Sequence, residues 1–333
     1  WSFSNPPYVK GENDVPIANF VGTWANKSVY RKYLAEKYGR LKMLYSGIHF
    51  NFSFNNELIE SAFESSGKSD FCSFKNDIYL ELAQKSVQYA WLIVYLTAAS
   101  PVIDCSFINE DKIGETVVTN YSSARCSEAG YWNTFVPTLK YGSTEEYVKS
   151  NKKYVDEGRL KSASELYYPI RLKPQGENTL ENLHIRGVNH IEFRMFDVNP
   201  LSPIGILEDD IKFVHCLIVY LMSQPKITLS DDEQITAINN EKMAARLDDE
   251  QTIEFLGDKR SIKSTALDEL CKIRKFYESF GDDEILKIID KQIDKIKYPD
   301  KRYANIVKTE YGENYVKNGL KLAEKYQNEL IDT

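Results

Sequence analysis

Cysteine is scarce and scattered: Cys72, Cys105, Cys126, Cys216 and Cys271 form no C-x-x-C pair. Their odd number and wide spacing give no foothold to a zinc cluster or a disulfide framework and fit a reducing, cytoplasmic setting. Positive charge is not in excess either, since 42 Lys and Arg stand against 49 Asp and Glu, a formal charge of −7. That balance argues against nucleic acid and anionic bilayers as partners. The longest apolar runs, Tyr89 to Ala99 and Phe213 to Met222, fall well short of the roughly 20 residues of a membrane span and read as buried helix cores. Also missing are G-x-G-x-x-G, G-x-S-x-G and H-E-x-x-H, which removes the dinucleotide, hydrolase and zincin readings. The segment AFESSGKS, Ala62 to Ser69, matches a permissive phosphate-loop pattern in the wrong context. A phosphate loop follows a buried strand and opens a helix, whereas Asn56 to Ser65 reads as an amphipathic helix that Gly67 ends. Sequons at Asn26, Asn51 and Asn120 carry no weight without secretion. The first residue is Trp1, not methionine, as in a processed chain or one starting partway through a longer product.

What is present suits one large or two modest domains: 333 residues, 42% apolar or aromatic and 27% charged. Texture changes near Pro200. Before it, alternating and helical stretches mix without regular βαβ spacing; after it, nearly everything reads as helix. Asn26 to Tyr38 sets Tyr30, Leu34 and Tyr38 on one helical face and stops at Gly39. Asp77 to Ala99 is a long helix closed by Ser100 and Pro101, and Ser143 to Asp156 opens with Ser143, Glu145 and Glu146 as cap and acidic first turn. Beyond Pro200, helical spacing recurs in Glu208 to Ser223, Thr265 to Phe280, Asp283 to Lys297 and Glu313 to Leu330.

Three segments alternate as strands. In SGIHFNFSFN, Ser46 to Asn55, the apolar Ile48, Phe50, Phe52 and Phe54 oppose His49, Asn51, Ser53 and Asn55. In HIEFRMF, Ile191, Phe193 and Met195 oppose His190, Glu192 and Arg194, and in SELYYPIRL, Ser164 to Leu172, Leu166, Tyr168, Ile170 and Leu172 oppose Glu165, Tyr167 and Arg171. Sharing a sheet, the polar faces would collect His49, Asn51, Glu192, Arg194, Tyr167 and Arg171. Such a face can serve a hard divalent cation and a phosphate, the two charge-neutralising needs of phosphoryl transfer. It can equally be a structural ladder pairing Glu192 with Arg171 or Arg194. Spacing alone leaves both open.

At these strands the chain resembles the bacterial glutamate-cysteine ligase (gamma-glutamylcysteine synthetase) family, whose catalytic module is also the first half of bifunctional glutathione synthetases. The resemblance spans most of the chain and rests on YRKYLAEKYG followed by SGIHFNFSF, on YLTAASPV, SSARCSEAGY and SELYYPIR, and most specifically on HIEFRMFDVNPLSPIGI, His190 to Ile206. It implies an α+β fold. A curved, largely antiparallel sheet of the glutamine synthetase kind, flanked by helices, would occupy residues 1–206, incomplete at its start, with a helical region over 207–333 packed on the same domain.

The resemblance further implies that ATP phosphorylates the gamma-carboxylate of glutamate and that the cysteine amine displaces the phosphate, with Mg²⁺, or Mn²⁺ in its place, as cofactor. His49 and Glu192 correspond to metal ligands, Arg194 to the group facing the transferred phosphate, and Asn51 to its assistant. Tyr30, Leu34, Arg125, Tyr131 and Tyr167 correspond to an amino-acid pocket, chiefly for cysteine; in a chain of 22 tyrosines, spacing alone singles out none of them. Further acidic metal ligands belong upstream of the position matching Trp1, and an ATP-grasp domain, fused or following, belongs to a bifunctional parent. Two other readings stand beside this one: a ligase of the same fold using another amine, and a binding protein whose catalytic set is incomplete.

Overall fold

The computed structural model describes residues 1–108 and 112–331. In chain order the helices and strands are α1 (Ala25–Tyr38), β1 (Gly47–Phe52), α2 (Asn56–Ser66), α3 (Phe71–Thr97), β2 (Val102–Asp104), β3 (Thr116–Val118), α4 (Thr144–Asp156), β4 (Ile170–Lys173), α5 (Leu180–Arg186), β5 (His190–Asp197), α6 (Glu208–Ser223), α7 (Asp231–Ala244), β6 (Thr252–Phe255), β7 (Asp258–Ser261), α8 (Ile262–Glu278), α9 (Asp283–Lys297), α10 (Tyr303–Tyr311) and α11 (Tyr315–Ile331). The fold is α+β, with antiparallel sheets and a mainly helical C-terminal part. Its central sheet has strand order β1-β5-β4, every pair antiparallel.

Helix ends follow the local chemistry. Gly39, at φ 87°, stops α1, and Gly67, at φ 67°, stops α2, so AFESSGKS is a helix end and not a phosphate loop. The long helix begins at Phe71 and not at Asp77, because the Asp70 carboxylate accepts from Ser73 N at 3.1 Å and supplies an earlier cap. From Leu82 onward it lies almost wholly inside the core, with Leu82, Val87, Ala90 and Leu92 all inaccessible to solvent, and the buried Lys85 is paired with Glu81 at 2.6 Å. The sheet and helices α6, α7, α8 and α9 contribute to the same hydrophobic cluster, which therefore draws on residues before and after Ile206. No helix among the described residues is long and apolar enough to cross a membrane.

Two departures from the sequence pattern matter. The third strand is only Ile170–Lys173; Ala163–Glu165 is a 3-10 turn and Glu165 is buried. Pro169 has no amide hydrogen to donate to a ladder, and the Tyr167 amide donates instead to Asn133 Oδ1 at 2.8 Å. Within the helical C-terminal part, Leu256 and Gly257, both at positive φ, close a two-residue hairpin between β6 and β7. Helix α7 was unanticipated although it carries a full capping box, Ser230 with Glu233.

Candidate active site

The site is built on an irregularity in β5. Ile48 pairs with Phe196 and Phe50 with Phe193, so His49 alone faces the two residues Arg194 and Met195. This β-bulge shifts the phase of the strand, which is why Met195 and Phe196 are both buried where strict alternation puts only one inside. It also leaves carbonyls turned from the β1 ladder. Arg125 Nη2 donates to Arg194 O and, at 2.7 Å, to Phe196 O, while Cys126 Sγ donates to Met195 O at 3.2 Å. Arg125 is thereby held against the sheet by the segment 122–126, itself fixed through the buried Asp197 carboxylate, which accepts from Ser123 Oγ at 2.9 Å, Ser100 Oγ at 2.8 Å and Ala99 N at 2.9 Å.

Glu192 sits at the centre of the polar face, opposite Asn51 on β1 and Arg171 on β4. Its Oε1 accepts from Arg194 Nη1 at 2.7 Å, and its Oε2 lies 3.3 Å from Lys173 Nζ and 3.5 Å from His49 Nδ1. Burial by itself raises the carboxyl, but hydrogen bonds from His49 and Arg194 and the charges of Arg194 and Lys173 outweigh it and hold Glu192 far below the usual carboxylate range. One carboxylate thus carries two permanent cations and an imidazole, a surplus of positive charge suited to an anion. Lys173 was not anticipated, although it continues the alternation two residues beyond Arg171. Arg171 itself turns aside, donating to Leu166 O and, at 3.0 Å, to Ser164 O; burial, with the nearby Arg194 charge, brings its guanidinium down to about 10.

A divalent ion can be tested against this donor set. His49 and Glu192 supply two ligands, and no cluster of three or more acidic, histidine or cysteine side chains exists among the described residues. Mg²⁺ takes one or two carboxylates together with water and substrate phosphates, so the pair fits an ion shared with a nucleotide and not a closed protein cage.

Beside this cluster one cleft is lined by His49, Arg194, Arg125, Tyr131, Tyr167 and Glu241. The phenols of Tyr167 and Tyr131 hydrogen-bond, their ring centroids 3.9 Å apart, and Tyr38 packs edge-on to Tyr131 at 4.9 Å. Burial, first of all, raises both phenols far above their ordinary values, so both are neutral hydrogen-bonding groups. Tyr38 is pushed up to about 12 by burial and by its bond to Glu165. The buried Glu165 joins α1 to this wall: its Oε1 accepts from Lys37 Nζ at 2.6 Å and Tyr38 Oη at 2.7 Å, and its Oε2 from Lys161 N at 2.6 Å.

Of the residues named from the resemblance, His49, Glu192 and Arg194 cluster, and Arg125, Tyr131 and Tyr167 line the adjoining cleft. Asn51 is exposed on β1, Tyr30 stands 6.4 Å from the ring of Tyr33, and Leu34 is buried under α1; none of the three lines that cleft. Glu241, Cys126 and Trp132 do, and were not anticipated.

The family profile described as glutamate-cysteine ligase matches residues 1–159 and 136–244. The chain belongs to the glutamate-cysteine ligase family. Among its relatives is the bifunctional glutathione biosynthesis protein of Listeria innocua, 33% identical over 99% of this chain and 44% of that protein. The Clostridium perfringens protein of the same name is 34% identical over 98% of this chain and 44% of its own length. This family member thus spans under half the length of those relatives. The structure of glutamate-cysteine ligase from Francisella tularensis in complex with AMP superposes with a TM-score of 0.84 at 23% identity, covering 98% of this chain and 72% of that one. A bifunctional glutathione synthetase from Pasteurella multocida gives a TM-score of 0.75 at 23% identity, over 99% and 41% respectively. These two likenesses establish the ligase family's fold for the chain.

Proposed function

We propose that the protein carrying this chain joins the gamma-carboxylate of glutamate to the amine of cysteine at the expense of ATP. The observation that carries the reading is the adjacency of the Glu192 charge cluster to the cleft of Arg125, Tyr131 and Tyr167, in a member of this family. A glutamate carboxylate oxygen attacks the terminal phosphorus of ATP, giving gamma-glutamyl phosphate and ADP; the cysteine amine then attacks the acyl carbon, forms the amide and expels phosphate. Arg194, fixed in orientation by Glu192, faces the phosphoryl group whose oxygens carry the developing charge. Lys173 adds a second cation. His49 and Glu192 would hold Mg²⁺, or Mn²⁺, shared with the nucleotide, and the ion would supply further charge neutralisation. Asn51, exposed beside them, offers its carboxamide to the same phosphates.

On the other side of the cleft, the guanidinium of Arg125 and the neutral phenols of Tyr131 and Tyr167 offer donors to substrate carboxylates, chiefly that of cysteine. Tyr30 and Leu34 support that wall from α1. The scattered free thiols support a reducing compartment, the cytoplasm, as the setting of the reaction.

The test is ADP release by the whole natural protein. It should require glutamate and cysteine together and fall at least a hundredfold in Glu192→Gln. Release indifferent to cysteine overturns the reading, and equal turnover with unrelated amines assigns a different ligase.

A further inference from the structure

Asn133 follows Tyr131 by two residues, lies outside every helix and strand, and does not itself line the cleft. Its side chain is buried, and its carboxamide reaches only into the tyrosine wall: Oδ1 accepts from Tyr167 N at 2.8 Å, and Nδ2 donates to Glu165 O at 2.8 Å and to Tyr38 Oη at 3.1 Å. Tyr167 precedes the sheet register, which begins at Ile170, so this side chain holds its amide where a strand ladder would otherwise do so. Tyr38 is fixed from the same point. Its phenol donates to Glu165 Oε1 at 2.7 Å and accepts from Asn133, with its ring edge-on to Tyr131 at 4.9 Å and to Tyr167 at 5.9 Å. On the loop side, Trp132 Nε1 and Gly130 N both donate to Ser127 O, at 2.7 and 3.0 Å, so the turn carrying Tyr131 is firm and Asn133 is anchored at its end. One carboxamide thus ties together the two segments whose phenols hydrogen-bond to each other, Tyr131 and Tyr167. Asparagine presents an acceptor and two donors in one plane, whereas an aspartate carboxylate only accepts and an alanine does neither.

We propose that Asn133 is a positioning residue for the cysteine substrate: it sets the Tyr167 phenol against Tyr131 where the pair receives the cysteine carboxylate, and so governs cysteine affinity without touching the substrate. The proposal rests on the ligase reading for the assignment of those phenols to cysteine. It does not extend to the Glu192 cluster, because His49, Lys173 and Arg194 stand on paired strands of the central sheet and meet Glu192 directly. Use of ATP and glutamate should therefore not depend on Asn133.

The experiment is a double-mutant cycle in the whole natural protein, with KM measured separately for cysteine, glutamate and ATP. Asn133→Ala should raise the KM for cysteine about tenfold and leave the other two within about twofold of wild type. Asn133→Asp keeps an acceptor for the Tyr167 amide and should restore part of the loss. Tyr167→Phe keeps the ring and removes the phenol oxygen; it should itself raise the KM for cysteine, and in its background Asn133→Ala should add less than about twofold, since the group to be positioned is gone. If Asn133→Ala does not fold, Asn133→Asp takes its place in the cycle, with a rise of about threefold expected from the lost donations to Tyr38 and Glu165. Equal rises for all three substrates, an unchanged cysteine KM in the Asn133 variant or in Tyr167→Phe, or a full effect of the Asn133 variant on top of Tyr167→Phe overturns the proposal and leaves the ligase reading intact. ADP release that ignores cysteine in wild type overturns the ligase reading instead.

Discussion

Arg125 occupies the space that a side chain on residue 47 would need: a Cβ built on Gly47 would stand 2.2 Å from Arg125 Nε and 2.3 Å from its Cζ. The glycine is there so that a guanidinium can lie flat across β1 and reach the carbonyls of Arg194 and Phe196 freed by the bulge. Gly47→Ala should therefore push Arg125 off both carbonyls. We expect a loss of about 1–3 kcal/mol in stability, read by urea denaturation, and at least a tenfold rise in KM for an amino-acid substrate. Unaltered kinetics would mean that Arg125 finds another route across the strand.

Glu165 binds the tyrosine wall to α1, and its ion pair with Lys37 is buried on the carboxylate side only, the lysine being 23% exposed. Glu165→Gln leaves the ammonium without a counter-ion and weakens the acceptor for Tyr38 and Lys161. A cost of about 3 kcal/mol, the low end for broken buried pairs, is expected at neutral pH. Burial raises this carboxyl, but the hydrogen bonds from Lys37, the Lys161 amide and Tyr38 prevail and leave it below 4.5. A depressed carboxyl contributes stability above its unfolded value and loses it as pH falls through the folded one. The gap between wild type and Glu165→Gln should accordingly be full at pH 7 and close in acid below about pH 4.5. A gap independent of pH would refute the ionic account.

Much of this site was legible because β1 and β5 announce themselves by strict alternation, and because caps such as Ser143 and stops such as Gly39 mark helix ends. The bulge at Arg194 was not legible, since nothing in HIEFRMF distinguishes a regular strand from one carrying an extra residue; only the pairing with β1 reveals it. The segment around Glu165 and Tyr167 alternates like a strand, yet tertiary partners, Asn133 and Lys37, claim its polar groups before any ladder can. Glu241 gave no signal, as an acidic residue in a helix is usually solvated and its burial depends on how α7 meets the sheet. The C-terminal hairpin was hidden in the same way, its strand Asp258–Ser261 being short and polar.

Away from the cleft, Lys295 on α9 is 6% exposed and reaches Asp210 on α6 at 3.0 Å and Leu96 O at 3.1 Å, while Tyr303 Oη donates to the same Asp210 oxygen at 3.1 Å. Removing the lysine strands a buried carboxylate. Lys295→Met should cost about 3–5 kcal/mol, and the double change with Asp210→Leu should recover most of it, because an apolar pair of similar volume escapes the desolvation penalty. Substrate KM values should not move in either variant. A double mutant no better than the single would show that the remaining contacts of Asp210, and not charge burial, hold α6, α9 and α10 together.

Glu241 lines the cleft together with Arg125 and Cys126 from the loop over the sheet and Tyr168 from the segment before β4, and Lys242 follows it on its own helix. Burial dominates the opposing charges and sets its folded value at about 8, against 4.5 for an ordinary glutamate. Between these two values the unfolded chain has lost the proton and the folded chain has kept it, so folding takes up a proton and stability falls as pH rises. In mid-window the slope from this one group is about 1.4 kcal/mol per pH unit. Glu241→Gln cannot ionise and should remove that slope, overtaking wild type in stability toward pH 8 and converging with it near pH 5. Parallel curves for wild type and Glu241→Gln across pH 5 to 8 would show that the carboxyl is already charged in the folded chain.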